Sequence, residues 1–304
     1  MRPKPFRRIS QLALLLLPFL SGGCGSVSQP ATVRFAAFAD VQYCSEHEEL
    51  AGRHYRRSRE LLAQTIEALN GERVDFAVNL GDLVDHGWQN YPPVLQELEQ
   101  LQMPLYSVLG NHDFEVGDRY KRHVSVRLGM PAPYYAFRLG NWRFLALDTN
   151  EISLYAWPAG SAEADRYARL IAEQYPEERR HGYNGGYSAE QLHWIEAQLA
   201  EAAEAGEAVV ILQHCPIEPG GKCPATLNSD RLLELLDRYE DTVKLCLSGH
   251  HHAGGQFVRR GVLFKTVKGQ VEAGMPTYVI VELSEKNVTV HGFGDEAGSR
   301  LPAD

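Results

Sequence analysis

Five short polar clusters each follow directly on an apolar run. Asp40-Val41-Gln42 follows Val33–Phe38, and Gly81-Asp82 follows Phe76–Leu80. Gly110-Asn111-His112-Asp113 follows Leu105–Leu109, Gln213-His214 follows Val209–Leu212, and Gly249-His250-His251-His252 follows Val243–Leu247. Carboxylate, carboxamide and imidazole groups together supply the mixed oxygen and nitrogen donors that suit Mn²⁺, Fe²⁺ or Zn²⁺. Two such ions about 3.5–4 Å apart can clamp a phosphate and activate a water between them. Taken singly, each cluster has an ordinary explanation. An Asp after a strand is commonly a turn or helix cap, and a lone histidine such as His214 is commonly just hydrogen-bonded. Five together, all at strand ends, are not explained by capping.

The elements that must position these clusters alternate. The apolar runs read as strands, and helical periodicity separates them. Leu62, Ile66 and Leu69 share a face, Pro92–Leu101 opens with proline, Leu192, Ile195 and Leu199 share a face behind a Ser188/Gln191 capping box, and Leu232–Tyr239 is helical. A β pair is expected near 134–147. From Gln256 to Gly292 the pattern is β only, with strands near 262–267, 278–283 and 288–292. This is βαβ architecture with a β-rich C-terminal stretch. In open α/β sheets the working site lies beyond the carboxyl ends of strands, where all five clusters fall. Residues 150–187 are tyrosine-rich and less regular and read as a cap-like insertion, with a short helix at Glu163–Glu173.

The 304 residues suffice for one large domain, and 44% hydrophobic with 23% charged residues excludes a disordered, collagenous or multi-span membrane chain. The formal charge is −9; the first 23 residues hold four basic residues and no acid, so the remainder carries 26 basic against 39 acidic residues, or −13. Such a surface argues against charge-driven binding of nucleic-acid polymers, and a polyanionic substrate then needs a local positive site. Residues 1–23 have the shape of a secretory signal: a basic stretch to Arg8, an apolar run Leu12–Leu20 too short to span a bilayer, then small residues. Leu20-Ser21-Gly22-Gly23-Cys24 resembles a bacterial lipoprotein signal, which implies a lipid on Cys24, a tether over 24–32 and an exported, membrane-anchored protein facing the periplasm or cell exterior. A plain cleaved signal, an uncleaved anchor and an Arg7-Arg8 twin-arginine signal are the alternatives. The catalytic domain is expected at 33–295, with 296–304 as a tail. Cys44, Cys215, Cys223 and Cys246 form no CxxC pair, and disulfides and buried free thiols are both open.

The order D-x-Q…GD…GNHD…H…GHxH resembles the calcineurin-like metallophosphoesterases. Gln42, where most members have histidine, is similar to a narrower group, the manganese-dependent ADP-ribose/CDP-alcohol diphosphatases. Further stretches carry this likeness from Val33 to Ala273: Phe38-Ala39-Asp40-Val41-Gln42-Tyr43, Arg53-His54-Tyr55-Arg56-Arg57-Ser58, Trp142–Thr149, Tyr183-Asn184-Gly185-Gly186-Tyr187-Ser188, Pro216-Ile217 and His252-Ala253-Gly254-Gly255. The resemblance implies a four-layer αββα sandwich of two mixed sheets flanked by helices. It implies one metal on Asp40, Gln42, Asp82 and His252, and another on Asp82, Asn111, His214 and His250, with Asp82 bridging. It also implies His112 as general acid, Asp113 orienting it, and no Ser, Thr or Cys nucleophile. The neutral carbonyl of Gln42 hardens the first site and favours Mn²⁺, with Fe²⁺, Zn²⁺ or Mg²⁺ as alternatives.

Arg53, Arg56 and Arg57 precede or open the first helix and could grip phosphate, or form a solvated face. His86 could line the pocket mouth, and Tyr43, Tyr183 and Tyr187 could stack on a nucleobase or simply pack. The function expected is hydrolysis of nucleoside diphosphate-linked compounds. The alternatives are a phosphomonoesterase, a cyclic-nucleotide or phospholipid-headgroup phosphodiesterase, a nuclease, and a non-catalytic tethered binding protein. No protein partner is implied.

Overall fold

The computed structural model describes residues 32–302 apart from 48, 219–225 and 286. The expected signal segment, Cys24, all of the tether but Thr32, and Cys223 therefore lie outside the described residues. Among the described residues, twelve strands, β1 (Thr32–Phe38), β2 (Phe76–Asn79), β3 (Leu105–Ser107), β4 (Tyr135–Leu139), β5 (Trp142–Ala146), β6 (Ala208–Leu212), β7 (Val243–Ser248), β8 (Gly255–Arg259), β9 (Val262–Thr266), β10 (Tyr278–Ser284), β11 (Asn287–Phe293) and β12 (Ser299–Pro302), make two sheets. Their orders are β12-β11-β10-β1-β2-β3 and β4-β5-β6-β7-β9-β8. Both are mixed. β1, β2 and β3 run parallel in one, and β5, β6, β7 and β9 in the other, with antiparallel strands completing each.

Side-chain alternation decides which layer each residue enters. In the second sheet Phe144, Ala146, Val210, Leu212, Leu245 and Leu247 point to the first sheet, while Leu145, Leu147, Val209, Ile211, Val243 and Cys246 point away. One extra residue at Lys244 shifts the β6–β7 register, so Val243 faces away from the first sheet and Leu245 faces it. Between the sheets the Phe144 ring packs on Phe35, Phe76 and Phe137 at centroid distances of 5.6, 5.1 and 4.8 Å. Helices α1 (Tyr55–Gly71) and α2 (Tyr91–Leu98) cover the first sheet through Leu62, Ile66, Leu69, Val94 and Leu98. Two short helices follow, α3 (Asp118–Lys121) and α4 (Val124–Arg127), then α5 (Ala162–Gln174). Helices α6 (Ala189–Ala205) and α7 (Ser229–Arg238) cover the second sheet through Ile195, Leu199, Leu232 and Leu236. The layers are therefore helix, sheet, sheet, helix.

Ser188 caps α6 by accepting from the Gln191 amide (3.0 Å), but the Gln191 side chain does not complete the expected capping box. It reaches Asp148 and Glu151 instead, and Glu151 accepts the Ser188 N–H (3.1 Å). Within 150–187, α5 packs Tyr167 and Ile171 on Ile152 and Leu227. The segment returns to its start where Ile152 N–H donates to Gly186 O (3.0 Å). Cys44, Cys215 and Cys246 are buried free thiols.

Residues 296–302 belong to the fold rather than to a tail. β12 pairs antiparallel with β11, and the Glu296 carboxylate lies 2.6 Å from Lys265 Nζ on β9, with both side chains buried. Glu296 also accepts from the Lys268 and Ala297 amides (2.7 and 2.9 Å). This pair ties one sheet to the other. Glu296→Ala leaves a buried ammonium unpaired and is expected to cost about 3–5 kcal/mol in urea unfolding. Lys265→Met combined with Glu296→Leu should cost much less, since no charge is then stranded.

Candidate metal centre

All five strand-end clusters converge between the two sheets at their carboxyl edge. Asp40, Gln42, Asp82 and His250 each adopt positive φ, at 53°, 45°, 54° and 70°. Non-glycine residues are held there only when their surroundings over-determine them. The surroundings are backbone hydrogen bonds: Asp40 N–H to Gly81 O (3.1 Å), Gln42 N–H to Asp82 O (2.8 Å) and Gly249 N–H to His214 O (3.0 Å). Two glycines permit the close approach. A Cβ on Gly81, itself at φ 96°, would meet His214 Nδ1 at 2.6 Å, and a Cβ on Gly110 would collide with Asp82.

Asp82 is the hub. Its Oδ1 accepts the His112 amide (2.7 Å). Its Oδ2 lies 3.1 Å from His214 Nε2 and 3.2 Å from Gln42 Nε2. On one side, Gln42 Nε2 is 3.1 Å from His252 Nε2, which is 3.6 Å from Asp40 Oδ1. On the other, His214 Nε2 is 3.2 Å from Asn111 Oδ1 and 3.3 Å from His250 Nδ1. Two donor sets thus share one carboxylate. The ligand atoms of Asp82, His214 and His250 all lie within 4.8 Å of one another. Gln42 Oε1 and His250 Nε2 are buried without hydrogen-bond partners, the mark of a site built to hold cations. A half-turn of the Gln42 amide exchanges its nitrogen for the oxygen that a cation takes.

The histidine tautomers follow from their acceptors. His214 Nδ1 faces the Leu80 carbonyl at 2.8 Å, and His252 Nδ1 faces the Glu272 carboxylate at 2.6 Å. Both partners only accept, so Nδ1 carries the proton and the Nε2 lone pair is the donor left for a metal. Burial opposes charge on these rings, but Asp82 lifts His214 to about 9 and Asp40 with Glu272 lifts His252 to about 9. For His250 burial and the neighbouring His214 both act downward and hold it well below the ordinary value. Asp82 is held well below the usual carboxylate range: its burial is outweighed by His214 and His112.

Asp113 does not orient His112. Its carboxylate accepts three backbone N–H groups, from Asp82 (3.1 Å), Leu83 (3.1 Å) and Gly110 (2.9 Å), and the Tyr91 hydroxyl (3.2 Å). Those bonds fill it, and it locks the two loops that carry Asp82 and Asn111. Burial and Asp82 push its pKa up to about 7. His112 Nδ1 instead lies 3.1 Å from Asp85 Oδ1 and 2.9 Å from Glu115 Oε1, off the line of a good hydrogen bond. Burial opposes protonation of His112, yet Asp82 and Asp85 raise its pKa well above the ordinary value.

Asp85 lies three residues after Asp82 in Gly81-Asp82-Leu83-Val84-Asp85, and that spacing is its only sequence signal. Glu115 and Glu272 have no such signal. Arg53 reaches the site, with Nη1 3.4 Å from His112 Nε2. Arg56 instead donates from Nε to Ser45 O (2.8 Å), and Arg57 donates to Gly274 O. His86 stands half-exposed beside His112, 2.8 Å from Glu115 and 3.4 Å from Asp85. Tyr43 is buried in the core and bridges to Val84, so it does not face a substrate. Tyr187 is also buried, donating to Gln213 Oε1 (2.8 Å). Tyr183 is exposed, its ring 5.8 Å from that of His250. His251, set between two strand-end histidines, lines a separate cavity of about 240 Å³ with Gln213 and Phe257.

Two donor sets joined by one carboxylate, with an imidazole and a guanidinium beside them, define a metal-dependent hydrolase with a dimetal site. The chain belongs to the calcineurin-like phosphoesterase family, which matches residues 33–254. It is 28% identical over 286 residues to the manganese-dependent ADP-ribose/CDP-alcohol diphosphatase of Arabidopsis thaliana, covering 84% of this chain and 91% of that protein. The protein of the same name from Danio rerio is 27% identical, over 78% and 87%. A dimetal phosphatase from Danio rerio shares the fold, with a TM-score of 0.79 and 24% identity over 90% of this chain and 99% of that one.

Metal binding must displace the protons that His214 and His252 hold below about 9. Mn²⁺ affinity measured by calorimetry should therefore rise with pH up to about 9. It should fall below that by about tenfold per pH unit for each proton displaced. Asp113→Ala should lower both metal affinity and stability, the latter by about 2–4 kcal/mol, because three backbone donors lose their acceptor. Asp85→Ala should leave metal binding intact and lower turnover, because Asp85 faces His112 Nδ1 and neither donor set.

Proposed function

We propose that the protein hydrolyses the pyrophosphate of nucleoside diphosphate-linked compounds such as ADP-ribose and CDP-alcohols. The observation that carries this is the pairing of Arg53 with His112. Arg53 Nη1 lies 3.4 Å from His112 Nε2 at the shared-carboxylate centre, so a guanidinium and an imidazole face one point where a phosphate oxygen can accept from both. A diphosphate supplies that oxygen, and the curated relatives carry this activity in their names. Asp40, Gln42, Asp82 and His252 would hold one divalent ion, and Asp82, Asn111, His214 and His250 the other. When bound, such a pair supplies charge neutralisation at phosphorus and an acidified water. The protein's own residues do the rest. Arg53 holds non-bridging phosphate oxygens, and His112 gives the proton on Nε2 to the departing phosphate oxygen while Asp85 and Glu115 face its Nδ1. Mn²⁺ is the preferred ion on the strength of the Gln42 carbonyl and the relatives' names.

The same reading extends to location. The Leu20–Cys24 sequence supports export and a lipid on Cys24, with the substrate met outside the cytoplasm. No helix among the described residues is long and apolar enough to cross a membrane. Cys24→Ser should abolish labelling by a fatty-acid analogue and release the protein from the membrane fraction. Retention and labelling of the variant would remove the anchor from the proposal.

A form starting after Cys24, stripped of metal and resupplied with Mn²⁺, tests the substrate. AMP from ADP-ribose and CMP from CDP-choline are expected, each lost in Asp82→Ala and reduced at least about 100-fold in His112→Ala. Turnover of an aryl phosphate or a cyclic nucleotide alone would place the site on other phosphoesters.

A further inference from the structure

We infer that Glu272 is a positioning residue that couples one half of the metal centre to the phosphate-binding arginine. The inference rests on the reading above. A single oxygen, Glu272 Oε1, lies 2.6 Å from His252 Nδ1 and 3.8 Å from Arg53 Nε. The far ends of those two side chains are the working ones. His252 Nε2 faces Asp40 and Gln42, and Arg53 Nη1 faces His112 Nε2. One carboxylate therefore sets both the lone pair offered to a cation and the place where the guanidinium meets phosphate.

The backbone holds Glu272 in that position. Residues 269–272 run beside the chain just beyond the end of β1: Ala39 bridges to Gly269, Gln270 N–H donates to Ala39 O (3.1 Å), and Val271 N–H donates to Asp40 O (2.9 Å). Gly269 N–H also donates to His252 O (3.0 Å), and a Cβ on Gly269 would strike the His252 ring at 2.7 Å. The His54 amide donates to Val271 O (2.8 Å), which fixes the chain beside Arg53. Gln270 Nε2 anchors the turn to Thr65 on α1 (2.6 Å). The Glu272 side chain itself is 42% exposed, so its removal opens no cavity. It donates no proton to substrate and touches no reacting atom. Its effect passes through His252 and Arg53.

The two contacts differ in what they need, and that makes the role separable. His252 Nδ1–H needs an acceptor, which glutamine also supplies. Arg53 needs a negative charge, which glutamine lacks. In the full chain titrated with Mn²⁺ alone, followed by the resonance signal of the free ion, Glu272→Ala should weaken one of two bound ions by about 10–100-fold and leave the other unchanged. Glu272→Gln should recover most of that loss. Both variants should show KM raised about tenfold toward an aryl phosphate or whichever nucleotide is turned over, with a smaller change in kcat, as expected when ground-state phosphate binding weakens. Wild-type affinity for both ions in Glu272→Ala, or wild-type KM in Glu272→Gln, would overturn the inference. If the alanine variant fails to fold, the glutamine variant decides alone through the KM–kcat split. The Mn²⁺ titration uses no substrate, so failure to hydrolyse ADP-ribose or CDP-choline would overturn the proposed substrate and leave this result standing.

Discussion

The structure depends on where the Asp82 carboxylate sits. It ends a strand of the first sheet, yet one of its oxygens meets His214, which ends a strand of the second. Every other donor is arranged around that crossing point. The close approach requires a backbone without side chains at Gly81 and Gly110, and a left-handed turn at Asp82 itself. Such a conformation costs free energy at several adjacent residues. The aromatic packing of Phe35, Phe76 and Phe144 between the sheets supplies a rigid base against which the strained ends are held.

The centre is organised by acceptors placed behind the donors. Leu80 O fixes His214, Glu272 fixes His252, and Asp113 fixes the two loops that present Asp82 and Asn111. None of these acceptors belongs to the donor sets themselves. They determine ring orientation and hold a proton on Nδ1, so Nε2 is the nitrogen left to a metal once its own proton is displaced. A site with so many buried polar atoms, some without partners, is expensive until cations enter. That cost ties metal affinity to pH and to the folded state.

Charge explains how an acidic protein can act on a polyanion. The net charge is acidic, while Arg53 beside His112 makes one positive spot next to the metal ligands. Local attraction at short distance and low dielectric outweighs a diffuse field that salt screens over about 8–10 Å.

The strand-end clusters, the alternation that sorts residues between layers, and the family were legible in the sequence because they are local: period, spacing and residue type suffice. The helix over 162–174 and the strands near 262–266 and 278–284 follow from the same local signals. Partnerships across the fold were not legible. Asp113 is adjacent to His112 but faces backbone amides, whereas Asp85 and Glu115 face the ring. Tyr43 and Tyr187 look available in sequence but lie in the interior. Glu296 reads as tail but closes a buried pair with Lys265. Arg53 and Glu272, more than two hundred residues apart, meet only because the 269–272 segment is laid beside Ala39 and Asp40, just beyond β1. Sequence determines which chemistry is present, since ligand type resides in single side chains. Tertiary structure decides which atom faces which, since that depends on how two sheets cross.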